Sequence, residues 1–173
     1  MPPRRSLKSR ALQLLAQRDQ SRVELRRKLL RHARSDVAVA PAGDDDGAAA
    51  VEQVEALLDW LEANRFLSSE RFVESRVHAR EARFGNQRIR SELAQHALVL
   101  PPELAAQLAD SEMARASAVR ERRFPASPRD AGERAAQSRF LAARGFSPEL
   151  VHRLMRQLRM RRPDDAASDA EAA

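Results

Sequence analysis

The chain has 173 residues, with 43% hydrophobic but only 4% aromatic content, five glycines and no cysteine. Ala and Leu fill most apolar positions, which suits helix-on-helix packing, makes thin sheet cores and leaves few glycines for phosphate-cradling loops. The lack of cysteine excludes disulfides, thiolate zinc sites and cysteine nucleophiles, and the net charge of +6 points to a polyanionic partner.

Residues 1–6 read as a disordered basic lead without the apolar run of a signal peptide. Leu7, Ala11, Leu14 and Leu15 then recur at helical spacing up to about Arg18. Ser21-Arg22-Val23-Glu24 has the pattern of a capping box, in which the Ser oxygen and the Glu carboxylate satisfy backbone donors reciprocally. It opens a helix with Leu25 and Leu29 on one face. The stretch 35–50, SDVAVAPAGDDDGAAA, loses periodicity and is expected to be an acidic surface loop.

Val51, Val54, Leu58 and Leu61 predict a third helix, widened by Leu57 and Trp60 and ended by Asn64 in a left-handed turn. Ser68-Ser69-Glu70 caps a fourth, carrying Phe72, Val73 and Val77. After the Gly85-Asn86 break a fifth follows with Ile89, Leu93 and Ala97. Pro101-Pro102-Glu103 launches a sixth with Leu104 and Leu108, and a seventh runs from Met113 to Arg123. An eighth spans Ala131 to Arg144 with Phe140 and Leu141 and ends at Gly145. Ser147-Pro148-Glu149 caps a ninth with Val151, Leu154, Met155 and Leu158. The segment 163–173 holds Asp164, Asp165, Asp169 and Glu171 and no base, and is expected to be a disordered acidic tail, so the rest carries about +10. No stretch nears the ~18 apolar residues of a membrane span, and a soluble, cytoplasmic, monomeric protein is expected.

Nine short helices and no strand give an all-α class, and their spacing repeats. Taking Ser21, Gly85 and Ser147 as helix starts puts Leu25, Ile89 and Val151 in one column, and Leu29, Leu93 and Met155 in a second. Each start follows a helix ending in a basic residue, Arg18, Arg83 or Arg144. The expectation is three tandem three-helix repeats, at 7–66, 67–110 and 111–162, in an elongated, curved array.

At these residues the chain resembles the RecX family, bacterial regulators of the RecA recombinase. ALQLLAQRDQSRVELRRKLLRHA at 11–33 is similar to the family's first-repeat motif, a leucine pair followed by R-x-x-S-x-x-E-L and K-L. LEANRFLSSERFVESRVHAREARFGNQRIRSEL at 61–93 resembles its most characteristic block, and RFLAARGFSPELVHRLM at 139–155 resembles its R-F-L-x-x-R-G-F-S segment. Asn64 stands where a glycine is usual, and Ser68-Ser69-Glu70 replaces a more acidic turn. The resemblance implies a non-enzymatic regulator that lies along the RecA–DNA filament and slows ATP hydrolysis and strand exchange, limiting recombination and SOS signalling. It implies contact with single- and double-stranded DNA as a secondary term.

Among the 31 basic residues only Lys8 and Lys28 are lysine, and guanidinium forks suit bidentate contact with phosphate or carboxylate. Arg27, Arg31 and Arg34 project roughly opposite Leu25 and Leu29 at 100° per residue. Arg88 and Arg90 flank the core stripe of the fifth helix, and Arg153 and Arg156 lie on the outer side of the last. Together they are the expected track for partner and nucleic acid. Each taken singly is equally accounted for as part of a solvated helix face. His32, His78, His96 and His152 lack metal-ligand spacing, and Asp44-Asp45-Asp46-Gly47 reads as a solvating acidic loop rather than a calcium site. No phosphate-binding or nucleophile-elbow motif occurs, so neither cofactor nor enzyme chemistry is expected. Trp60 and the six phenylalanines sit at core spacing. The competing class is an autonomous helical nucleic-acid-binding protein, since three-helix modules with Arg-rich helices also describe helix-turn-helix readers.

Overall fold

A computed structural model of the chain describes residues 6–37 and 46–160. The lead 1–5, the centre of the acidic loop and the tail fall outside these residues. The described residues form eight helices and no strand: α1 (Leu7–Gln17), α2 (Arg22–Val37), α3 (Asp46–Ala63), α4 (Ser69–Glu81), α5 (Asn86–Ala94), α6 (Pro102–Arg123), α7 (Ala131–Ala143) and α8 (Pro148–Met160). The fold is all-α. The two aligned columns are core throughout: Leu25, Ile89, Leu29 and Leu93 are 0% exposed, and Val151 and Met155 are 4% exposed.

Several boundaries differ from the sequence reading. The expected sixth and seventh helices are one continuous helix, α6. Within it the Ser111 hydroxyl donates back along the same helix to Gln107 O at 2.9 Å and caps no new one. Helix α5 stops at Ala94, and Ala97 is exposed with φ of 57° rather than helical and buried. The left-handed residue after α3 is Arg65, φ 60°, not Asn64, whose side chain instead caps Trp60 O at 2.8 Å. The acidic loop is shorter than expected, because α2 runs to Val37 and the alanine-rich start of α3 begins at Asp46.

The chain divides into two compact units, one running to Arg76 and including His96–Leu98, the other holding Val77–Gln95 and the described residues from Val99 on. In the first, Ala11, Leu14, Leu25, Leu29, Val54, Leu58, Leu61 and Leu67 form the core. Burying each leucine contributes about 1.5–3 kcal/mol. Ser6 caps α1 by accepting from Ser9 N at 3.2 Å, and Ser21 caps α2 by accepting from Glu24 N at 3.1 Å. Only half of the expected box forms. The Glu24 carboxylate turns to Arg18 and to Lys28 Nζ, 2.9 Å away, because these side chains bring charge to a buried acid.

In the second unit Ala116, Val119, Leu141, Phe146 and the buried face of α8 form the core. Asp130 accepts from Glu133 N at 2.8 Å, while Glu133 accepts from Arg129 N at 2.8 Å, a reciprocal cap that starts α7. The N-terminus of α5 has no side-chain cap. Its donors are met by neighbouring elements: Gly85 N by Arg144 O at 2.9 Å, Gln87 N by Gly145 O at 3.1 Å, and Asn86 N by the Glu112 carboxylate at 2.8 Å. The backbones can approach this closely only because both residues at the contact are glycine. A Cβ on Gly85 would lie 2.2 Å from Gly145 O, and Gly145 itself has φ of +82°.

Candidate partner-binding surface

Helix α2 sorts its basic residues by what faces them. Arg22 reaches Glu55, Asp59 and Glu62 of α3 at 2.7–2.8 Å, and Arg26 also binds Glu55. These pairs lie on the flank of α2 that packs on α3. Burial disfavours the Arg22 charge, but hydrogen bonds to Asp59 and Glu55 outweigh it and raise its pKa further. Arg27, Arg31 and Arg34 lie on the far face, exposed, and make no ion pair among the described residues. Leu25, Leu29 and Ala33 form the buried stripe opposite them.

In the second unit Arg90, Arg153 and Arg156 are likewise exposed and unpaired among the described residues. Arg88 is exposed but differs. Its Nε donates to Glu92 at 3.2 Å, and Glu92 also receives Arg80 at 2.9 Å, so α4 and α5 share this carboxylate. Arg156 borders an open cleft of about 340 Å3 between α7 and α8, lined by Arg134, His152, Met155 and Arg159, with no acid in the lining.

Other arginines are internal struts that periodicity cannot separate from surface ones. Arg115 makes hydrogen bonds of 2.6–3.1 Å to Glu81 O, Phe84 O, Asn86 Oδ1, Leu108 O and Ser111 Oγ, fixing the turn between α4 and α5 onto α6. Arg120, 2% exposed, donates to Gln137 Oε1 at 2.9 Å and to Ala126 O. Burial lowers the pKa of both. Their buried partners, Glu112, Gln137 and Asn86, were invisible to a sequence reading because polar residues default to surface positions.

The aromatic expectation needs correction. Phe72 and Phe146 are core, but Trp60 is 37% and Phe66 47% exposed. Trp60 lies outside the Val54–Leu58–Leu61 stripe and stacks on Phe66 with centroids 5.6 Å apart, Lys8 Nζ lying 3.6 Å over its ring. His96 is half-buried: its Nδ1 meets Ser21 Oγ at 2.8 Å and its ring packs edge-on against Phe72. Among the described residues no group of three or more His, Asp or Glu could hold a metal ion, and no helix is long and apolar enough to cross a membrane.

Comparison with known proteins places these features in a family context. The family described as RecX, third three-helix domain, matches residues 110–155, which begin midway along α6. The regulatory protein RecX of Ralstonia nicotianae is 50% identical over 152 residues, covering 87% of this chain and 86% of that protein. That of Herbaspirillum seropedicae is 49% identical over 154 residues, 88% of each chain. That of Pseudomonas entomophila is 38% identical, covering 84% of this chain and 86% of its own length.

Proposed function

Because this chain belongs to the RecX family of regulatory proteins, we propose that it binds filaments of the RecA recombinase on DNA and inhibits their ATP hydrolysis and strand exchange. It acts in the cytoplasm as a monomer without chemistry of its own, restraining recombinational repair and the SOS response. One observation carries the reading. On a single helix, α2, the arginines that build the fold are matched to carboxylates, whereas Arg27, Arg31 and Arg34 are exposed without one. Arg90, Arg153 and Arg156 repeat this in the second unit, and Arg88 contributes with its charge shared by Glu92. Exposed guanidiniums on rigid helices favour an anionic partner through steering and bidentate contact, and lose strength with salt. Each unit presents its own arginine rows, and the three modules at 7–66, 67–110 and 111–162 are the proposed units of engagement.

The test is charge reversal of Arg27, Arg31 and Arg153 to glutamate in one variant. Circular dichroism should be unchanged, because all three are exposed and make no ion pair among the described residues. Co-sedimentation with RecA filaments on single-stranded DNA should fall at least tenfold in affinity. Undiminished filament binding by a folded variant would exclude this face.

A further inference from the structure

Four arginines outside these exposed rows converge on one cleft in the second unit. Arg83, Arg122, Arg123 and Arg144 line an open cavity of about 240 Å3 whose apolar wall is Phe140 and Val119. Helices α4, α6 and α7 all end here. None of the four is paired with a carboxylate among the described residues. The nearest acids in sequence, Glu81 and Glu121, are turned to His78 and to Ser117.

The guanidiniums are held instead by groups that leave their charge intact. Arg122 donates to Ala82 O at 2.7 Å and to Ala118 O at 3.2 Å, and Arg144 donates to Arg83 O at 3.4 Å. Arg144 lies 4.5 Å over the Phe140 ring, Arg123 5.2 Å over Phe124, and Arg83 5.9 Å over Phe84. Each helix C-terminus carries roughly half a negative charge, so three offset about 1.5 of the four positive charges and leave more than two unbalanced. Arg144 Nε is in addition buried without a hydrogen-bond partner among the described residues. A buried donor left unpaired is unfavourable until an acceptor arrives. Concentrated positive charge, preset guanidinium forks and an adjoining apolar wall describe the complement of a phosphoryl group joined to an apolar ring.

We propose that this cleft binds one nucleotide unit, its phosphoryl oxygens on Arg83, Arg122, Arg123 and Arg144 and its sugar or base against Phe140 and Val119. The same chemistry is carried by a phosphodiester in a nucleic-acid strand and by a free nucleotide. None of the four arginines belongs to the rows on α2, α5 and α8, although Arg88 of α5 lies over the same Phe84 ring as Arg83 and Arg144.

The test uses the full chain without recombinase. Fluorescence anisotropy follows binding of a labelled 20-nucleotide oligothymidylate, and separately its competition by ATP and thymidine monophosphate. R83Q/R123Q, each substitution at an exposed residue, should weaken binding of whichever probe the cleft takes at least tenfold, and flatten the log–log salt dependence of strand binding by about two. R139Q removes one exposed charge outside the cleft and should leave affinity within twofold. Competition by the mononucleotides identifies a free nucleotide as the ligand, and its absence beside tight strand binding identifies the strand. Both single variants, with melting temperature as the folding check, accompany the double. The proposal is overturned if wild type binds neither probe, if R83Q/R123Q binds as wild type does, or if R139Q loses as much. Equal displacement by an oligoglutamate of matched charge would also overturn it, marking a site for acidic peptide.

Discussion

At the scale of single residues, Glu24 shows how a charge can belong to the fold. Burial alone would push its carboxyl up, but hydrogen bonds from Arg18 and Lys28 reverse the effect and hold it at about 2. Since the ordinary value is 4.5, this group contributes stability that is fully present above that pH and lost as pH falls toward 2. Glu24→Gln should therefore lower stability by about 2 kcal/mol at neutral pH, with the gap closing in acid. Urea midpoints at pH 7 and pH 3 read this directly, and a gap of equal size at both would contradict it. The sequence reading recognised the Ser21 cap because serine three residues before glutamate is a local signal. It missed the partners of Glu24, since Arg18 is brought back by a turn. Trp60 was misplaced for a related reason: helical periodicity identifies an apolar side but not where the neighbouring helix stops covering it.

At the scale of elements, two features depend on contacts no local pattern carries. The first is the continuity of α6. Its N-terminal half holds Glu112 against Asn86, while its C-terminal half supplies Ala116 and Val119 to the last core. One helix thus serves two of the expected modules, which is why nine expected helices become eight among the described residues. Asp110→Pro would be tolerated at a junction between two helices, but in the interior of one it should cost about 3 kcal/mol or more. Thermal unfolding distinguishes the two, and an unchanged melting temperature would restore the break. The second feature is the glycine contact that caps α5. Gly85→Ala should destabilise by about 1–3 kcal/mol or more, because the clashing atoms are backbone and cannot rotate away. Denaturant unfolding measures it, and a neutral substitution would mean that α5 and the turn after α7 can separate freely. Gly85 was legible as a break between helices, whereas its partner Gly145, sixty residues on, was legible only as a helix end.

At the scale of the whole molecule, the all-α class and both core columns were readable because helical spacing recurs around Ser21, Gly85 and Ser147. The division into exposed, unpaired arginines and structural ones was not. Arg22, Arg115 and Arg120 look like Arg27 in a sequence, and only the carboxylates and carbonyls that fold onto them tell them apart. Arg122 and Arg123 escaped notice because they close a long helix whose outer face carries no periodic signal. What distinguishes the proposed regulator from an autonomous nucleic-acid binder is its effect on the recombinase, since both would carry a basic surface. The direct measurement is single-stranded-DNA-dependent ATP hydrolysis by the cognate RecA, with this protein titrated in at well below one copy per recombinase subunit. Inhibition at those ratios is expected of a filament regulator. An unchanged rate, with tight binding to naked single strands, would contradict that role and identify an autonomous nucleic-acid-binding protein.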